Sequence, residues 1–151
     1  MAIERLSFED IGKVNRATLG PDIPLSVFRL VRLIGMNKIL GESAGPTLYM
    51  VGKDIGNGLD LTTVDDLAGL VQTLRIGIPK VLKSSDDTIV IRVLECMTCS
   101  GLPNIGEMFC NFEGGLITGA LEKILKRPAK AVQTKSQSSG FDCCEFEISL
   151  F

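Results

Sequence analysis

All five cysteines of this chain lie beyond residue 95, at Cys96, Cys99, Cys110, Cys143 and Cys144, in the pattern C-x2-C-x10-C-x32-C-C. A C-x2-C pair lets two thiolates reach one ion from a single tight turn, and two further sulfurs complete a tetrahedron. The stretch that follows, Ser100-Gly101-Leu102-Pro103-Asn104, is rich in turn formers, as a metal-binding knuckle requires. The plainer alternative is a set of small buried hydrophobes, a common fate of free cysteine. Clustering and an odd count, which complete disulfide pairing cannot satisfy, favour the metal site. Such a site obliges the fold to bring a turn, a helix start and a late strand to one point.

The last of these segments decides which neighbour takes part. From Cys144 to Leu150 apolar and polar residues alternate, the signature of a half-buried strand. Cys144 shares a face with Phe146, Ile148 and Leu150, whereas Cys143 falls with Glu145, Glu147 and Ser149. The expected metal ligands are therefore Cys96, Cys99, Cys110 and Cys144, with Cys143 left out. The expected ion is zinc, with Zn–S bonds of about 2.3 Å and no open coordination position.

The chain contains no histidine. That excludes Ser-His-Asp and Cys-His nucleophiles, histidine-ligated haem and mixed Cys/His zinc fingers. A soft-metal site here must be built from thiolates, with at most a carboxylate added. At 151 residues and 45% hydrophobic content, one domain, 1–151, with a substantial core is expected. The net charge is -2, and the basic residues Lys123, Lys126, Arg127 and Lys130 fall at an expected helix end, where cations complement the dipole. Nucleic-acid binding is disfavoured. Met1-Ala2-Ile3-Glu4-Arg5 lacks the basic and apolar regions of a signal peptide, and no apolar run reaches membrane-spanning length. A cytoplasmic protein without membrane contact is expected.

Periodicity sketches the elements. A helix beginning near Pro24 carries Val27, Leu30, Val31 and Ile34 at helical spacing, with Arg29, Arg32 and Lys38 on its other side. A second runs from about Glu42 to Asn57 and is interrupted by Gly45, Gly52 and Gly56. Thr62 and Asp65 are spaced for a capping box at the start of a third, ending near Arg75. Strands are expected at Pro79–Lys83 and Thr88–Cys96, then a glycine-rich helix from Phe109 to Lys126 with Cys110 in its first turn. Strands at 129–136 and 143–150 close the chain. The order implies an α+β fold, an antiparallel sheet of two hairpins packed by about four helices.

These residues carry a resemblance. Gly41-Glu42-Ser43-Ala44 leading to Tyr49, Gly52, Ile55 and Gly56, the run from Cys110 to Leu121, and the run from Gly140 to Phe146 together resemble the 4-vinyl reductase (4VR) domain family. That family is similar to the sensor domains of phenol-responsive activators and to TRAPP-type tethering subunits. The resemblance implies helices on an antiparallel sheet, a homodimer, an apolar ligand cavity and often zinc. In the phenol sensors zinc sits on cysteines matching Cys110 and Cys144, and on a glutamate and a cysteine at positions held here by Gln133 and Ser136. Cys96 and Cys99 offer two replacement sulfurs. The histidine and tryptophan that hold phenol in those sensors have no counterpart, since this chain has neither residue.

A non-enzymatic binding module follows as the expected function: a small apolar, hydrocarbon-like ligand in a cavity, with a structural zinc. Glycine-rich helix faces and the resemblance place that cavity at Tyr49, Phe112 and Leu116. An iron–sulfur or redox protein related to vinyl reductases is the first alternative, because four thiolates also suit such clusters. An assembly scaffold is the second. No nucleotide fingerprint or catalytic constellation supports an enzyme. The helix at 24–40 is the expected homodimer surface.

Overall fold

A computed structural model describes residues 6–151; Met1–Arg5, read above for signal-peptide features, lie outside them. A short helix, α1 (Phe8–Gly12), precedes the elements expected from periodicity and is closed by a Ser7/Asp10 capping box. Helix α2 covers residues 25–40. It is α-helical over Leu25–Arg29, π-helical over Leu30–Gly35 and α-helical again over Met36–Leu40. Pro24 caps it from outside the first turn, and Gly41, at φ 57°, ends it. Helix α3 (Ala44–Gly58) follows after one 3-10 turn, and then α4 (Val64–Thr73). The capping box of α4 lies one residue later than expected, with Thr63 as N-cap and Asp66 as its partner. Asp66 also accepts from the Thr62 hydroxyl and N–H, so both threonines serve one carboxylate.

Strands β1 (Ile78–Ser84) and β2 (Thr88–Leu94) form the first hairpin. Helix α5 (Asn111–Leu125) leads to the second, β3 (Ala129–Lys135) and β4 (Cys144–Leu150). The two hairpins join through antiparallel pairing of β2 with β4, giving one sheet of order β1-β2-β4-β3. This is the α+β architecture of two hairpins and covering helices. One face of the sheet, bearing Ile89, Ile91, Val93, Phe146 and Ile148, is buried with Leu116, Ile117, Ala120 and Leu121 of α5. Among the described residues no helix is long and apolar enough to cross a membrane.

Helices α3 and α5 touch backbone to backbone. A Cβ on Gly115 would lie 2.0 Å from the Tyr49 carbonyl oxygen, and one on Gly52 would lie 2.2 Å from that of Phe112. The glycine faces are therefore filled by main chain, and no cavity opens there. Tyr49 donates to Thr118 and accepts from the Ala131 N–H, while Leu116 is packed in the core. Tyr49, Phe112 and Leu116 do not line one common cavity; Phe112 alone of the three lines a cleft, between α2 and α3.

Helix α2 docks on an unexpected side. Its arginines face the protein: Arg29 donates to the carbonyls of Met97 (2.8 Å) and Ser100 (2.7 Å), and Arg32 to that of Phe109 (3.0 Å). Its apolar positions Val27, Leu30, Val31 and Ile34 are exposed, Leu30 by 57%.

Candidate metal centre

Strand β2 delivers the first two cysteines. Glu95, at φ 52°, turns the chain sharply at the end of the strand. The Met97 N–H bonds Ile76 O, the Ser100 N–H bonds Cys96 O and the Leu102 N–H bonds Cys99 O, which holds residues 96–102 as a knuckle. Cys110 is the N-cap of α5, one position before its first turn, so its sulfur lies at the positive end of that helix. Cys144 opens β4, paired with Val93.

These four cysteines are fully buried, and their sulfurs all lie within 4.8 Å of one another. The Sγ–Sγ distances are 3.6 Å for Cys96–Cys110, 3.7 Å for Cys99–Cys110, 3.4 Å for Cys110–Cys144 and 2.9 Å for Cys99–Cys144. None of the chain's cysteines forms a disulfide. Sulfurs bonded to one zinc at ~2.3 Å in a tetrahedron stand about 3.8 Å apart. Three of these edges are within a few tenths of an ångström of that value, and Cys99–Cys144 would open slightly. The donor set thus fits a single soft cation.

Electrostatics point the same way. Hydrogen bonds from Cys110, Cys144 and Cys96 pull the Cys99 thiol well below the usual thiol range. Cys110 is pushed up by Cys144, then by Cys96, Cys99 and burial. The neutral cluster therefore ionises unevenly, with one thiolate solvated by its neighbours. A cation that binds deprotonated sulfur removes that frustration.

Cys143 stands outside the cluster, though it too is buried. Its strand face was expected to be solvent-exposed. Near Cys143 that face is covered, because Glu145 is held by Arg92 (3.3 Å) and Lys135 (3.1 Å) and is itself buried. Burial, followed by Asp142, pushes the Cys143 thiol up and keeps it neutral.

Around the sulfurs lies a shell that spacing alone did not single out. Gln133 Oε1 accepts from the Cys110 N–H at 3.2 Å, and Ser136 is fully buried. These positions carry ligands in the phenol sensors, as the resemblance has it, and here one of them supports the backbone of a cysteine. Thr98, between the two knuckle cysteines, donates to the carboxylate of Glu113. Glu113 is 2% exposed and lies 3.7 Å from Arg32 Nη2. Burial raises its pKa, opposed by Thr98 and Arg32. A charged residue inside the small and apolar run of α5 was the available signal for this contact.

The 4-vinyl reductase (4VR) domain, as a family, matches residues 89–150. The uncharacterized protein MJ0150 of Methanocaldococcus jannaschii is 37% identical over 139 residues, covering 88% of this chain and 79% of that one. Among solved structures, a vinyl-4-reductase family protein from M. jannaschii is similar at a TM-score of 0.70, with 22% identity, over 88% of this chain and 85% of that one. The phenol-responsive sensory domain of the transcription activator PoxR is similar at 0.66, with 10% identity, over 85% and 75%. A trafficking protein particle complex subunit 3 from Naegleria fowleri is similar at 0.59, with 18% identity, over 84% and 95%. Sequence match and fold agree, and the chain belongs to the 4VR-domain family.

Proposed function

We propose that this chain is a non-enzymatic binding module for a small apolar molecule, braced by one structural zinc on Cys96, Cys99, Cys110 and Cys144. The observation that carries the zinc is the convergence of four buried sulfurs from a knuckle, a helix cap and a strand. Sulfurs this close enclose room for one ion, not for a multi-iron core with its bridging sulfides. With four protein ligands the ion has no open position, so its role is to tie the β2 end, the α5 start and β4 together. The ligand-binding part is supported by the similar folds: one structure is of a phenol-responsive sensory domain with phenol, another is covalently bound to palmitic acid.

Metal analysis of the purified protein tests the centre. One zinc per chain and a colourless solution are expected, and Cys143→Ser should keep both. Visible absorption with stoichiometric iron would replace zinc by iron, and loss of the metal in Cys143→Ser would overturn the ligand set.

We further propose a homodimer through α2. Its outward Val27, Leu30, Ile34 and Ile39 form an apolar strip along one helix, with Ile39 75% exposed. Light scattering at micromolar concentration should give twice the chain mass, and Leu30→Glu with Ile34→Glu should halve it. A monomeric mass for the unaltered chain would rule the dimer out.

A further inference from the structure

Between α2 and α3 lies a cleft of about 190 Å³. Phe28 and Val31 of α2, Leu48 and Val51 of α3, and Phe112 at the start of α5 supply hydrocarbon walls. Arg32 is the one charged residue lining it. The cleft exists because α2 is held by its arginines and not by an apolar seam, so its docking leaves hydrocarbon surface uncovered. Val31 and Arg32 also sit in the π-helical stretch, a conformation found frequently at functional sites.

Arg32 gives the cleft its chemistry. The residue is 9% exposed, and its Nη2 is taken by Phe109 O and the neighbouring Glu113. Its buried Nε–H has no acceptor, and Glu113 Oε2 has no donor within hydrogen-bond distance. A buried polar group without a partner costs about 1–3 kcal/mol. An apolar pocket with one convergent polar group is the usual make-up of a small-molecule site.

We infer that this cleft binds a small molecule with a hydrocarbon body and one uncharged hydrogen-bond acceptor, such as a carbonyl, directed to Arg32. This inference rests on the small-molecule reading above and assigns the site and the ligand class. The size suits a substituted benzene, since a cavity of about 150 Å³ with apolar walls already accommodates benzene. The acceptor is required because arginine offers only donors. It is uncharged because Glu113 already faces the guanidinium, and an anionic head would add a second negative charge beside it. A protein segment is a poorer occupant, because the cleft offers a depression of side-chain size and a single polar group.

Calorimetry on the full, zinc-loaded chain tests this with acetophenone, ethylbenzene and benzoate. Acetophenone should bind at least tenfold more tightly than ethylbenzene, with benzoate weaker than acetophenone. Val51→Trp, at a half-exposed position of α3, should abolish acetophenone binding while zinc content and melting temperature stay as they were. Equal affinity for acetophenone and ethylbenzene would overturn the Arg32 anchor, and preference for benzoate would overturn the uncharged head. Undiminished binding to folded Val51→Trp would overturn the cleft but leave the small-molecule reading standing. No binding of any of the three by the unaltered chain would overturn the ligand class assigned here; if a wider set of apolar compounds also fails, the small-molecule reading falls with it.

Discussion

Cys110→Ser and Cys144→Ser should each lose the metal and melt far below the unaltered chain. A metal bound only by the folded state at a free concentration about 1,000 times its dissociation constant contributes about 4 kcal/mol. For a domain of this size that corresponds to roughly 10 °C in Tm. The effect is large because these two sulfurs are not on the knuckle. Cys110 fixes the start of α5 and Cys144 fixes the start of β4, so losing either releases a whole element from the junction. A chelator should lower the Tm of the unaltered chain by a similar amount and leave the serine variants unmoved. Cys143→Ser provides the control, since its sulfur lies outside the cluster. A Cys144→Ser protein that keeps one equivalent of zinc and an unchanged Tm would sink the four-sulfur centre.

How far the chain was readable in advance depended on whether the signal was local. Cys144 could be separated from Cys143 because strand alternation has a period of two, and β4 is a regular strand. The knuckle was legible from C-x2-C and its turn formers for the same reason. Glu113, Arg29 and Arg32 were not legible, because their roles depend on which element docks where. Arg29 and Arg32 look like the solvent side of an amphipathic helix, and α2 inverts that rule. The carbonyls of Met97, Ser100 and Phe109 are loop acceptors that have to be satisfied, and two guanidinium groups satisfy them. Polar anchoring thus wins over apolar burial at this helix, which leaves the exposed strip and the cleft. The capping box of α4 was off by one residue because Thr62 and Thr63 both satisfy the motif, and Asp66 engages the pair. The glycines of α3 and α5 pointed to close packing or to space for a ligand, and periodicity does not distinguish the two.

That ambiguity leads to a substitution whose sign depends on position. Gly115→Ala should destabilise the protein by about 2–3 kcal/mol, because overpacking typically costs about 1–3 kcal/mol and here the added atom meets backbone. The methyl group would lie 2.0 Å from Tyr49 O and 2.9 Å from Lys53 N, with no flexible side chain to yield. Relief requires moving α3 away from α5, which also disturbs Gly119 against Lys53 O at 2.0 Å and Gly56 against Leu116 O at 2.2 Å. Alanine's helix propensity returns only about 1 kcal/mol of that cost. Gly69→Ala makes the same chemical change on α4, where nothing lies within 4 Å of the new methyl group. It should stabilise by up to about 1 kcal/mol, since propensity acts there unopposed. Urea unfolding of the two variants should therefore move the midpoint in opposite directions. If Gly115→Ala is neutral or stabilising, the backbone interlock of α3 and α5 is wrong, and the glycine faces must leave room after all.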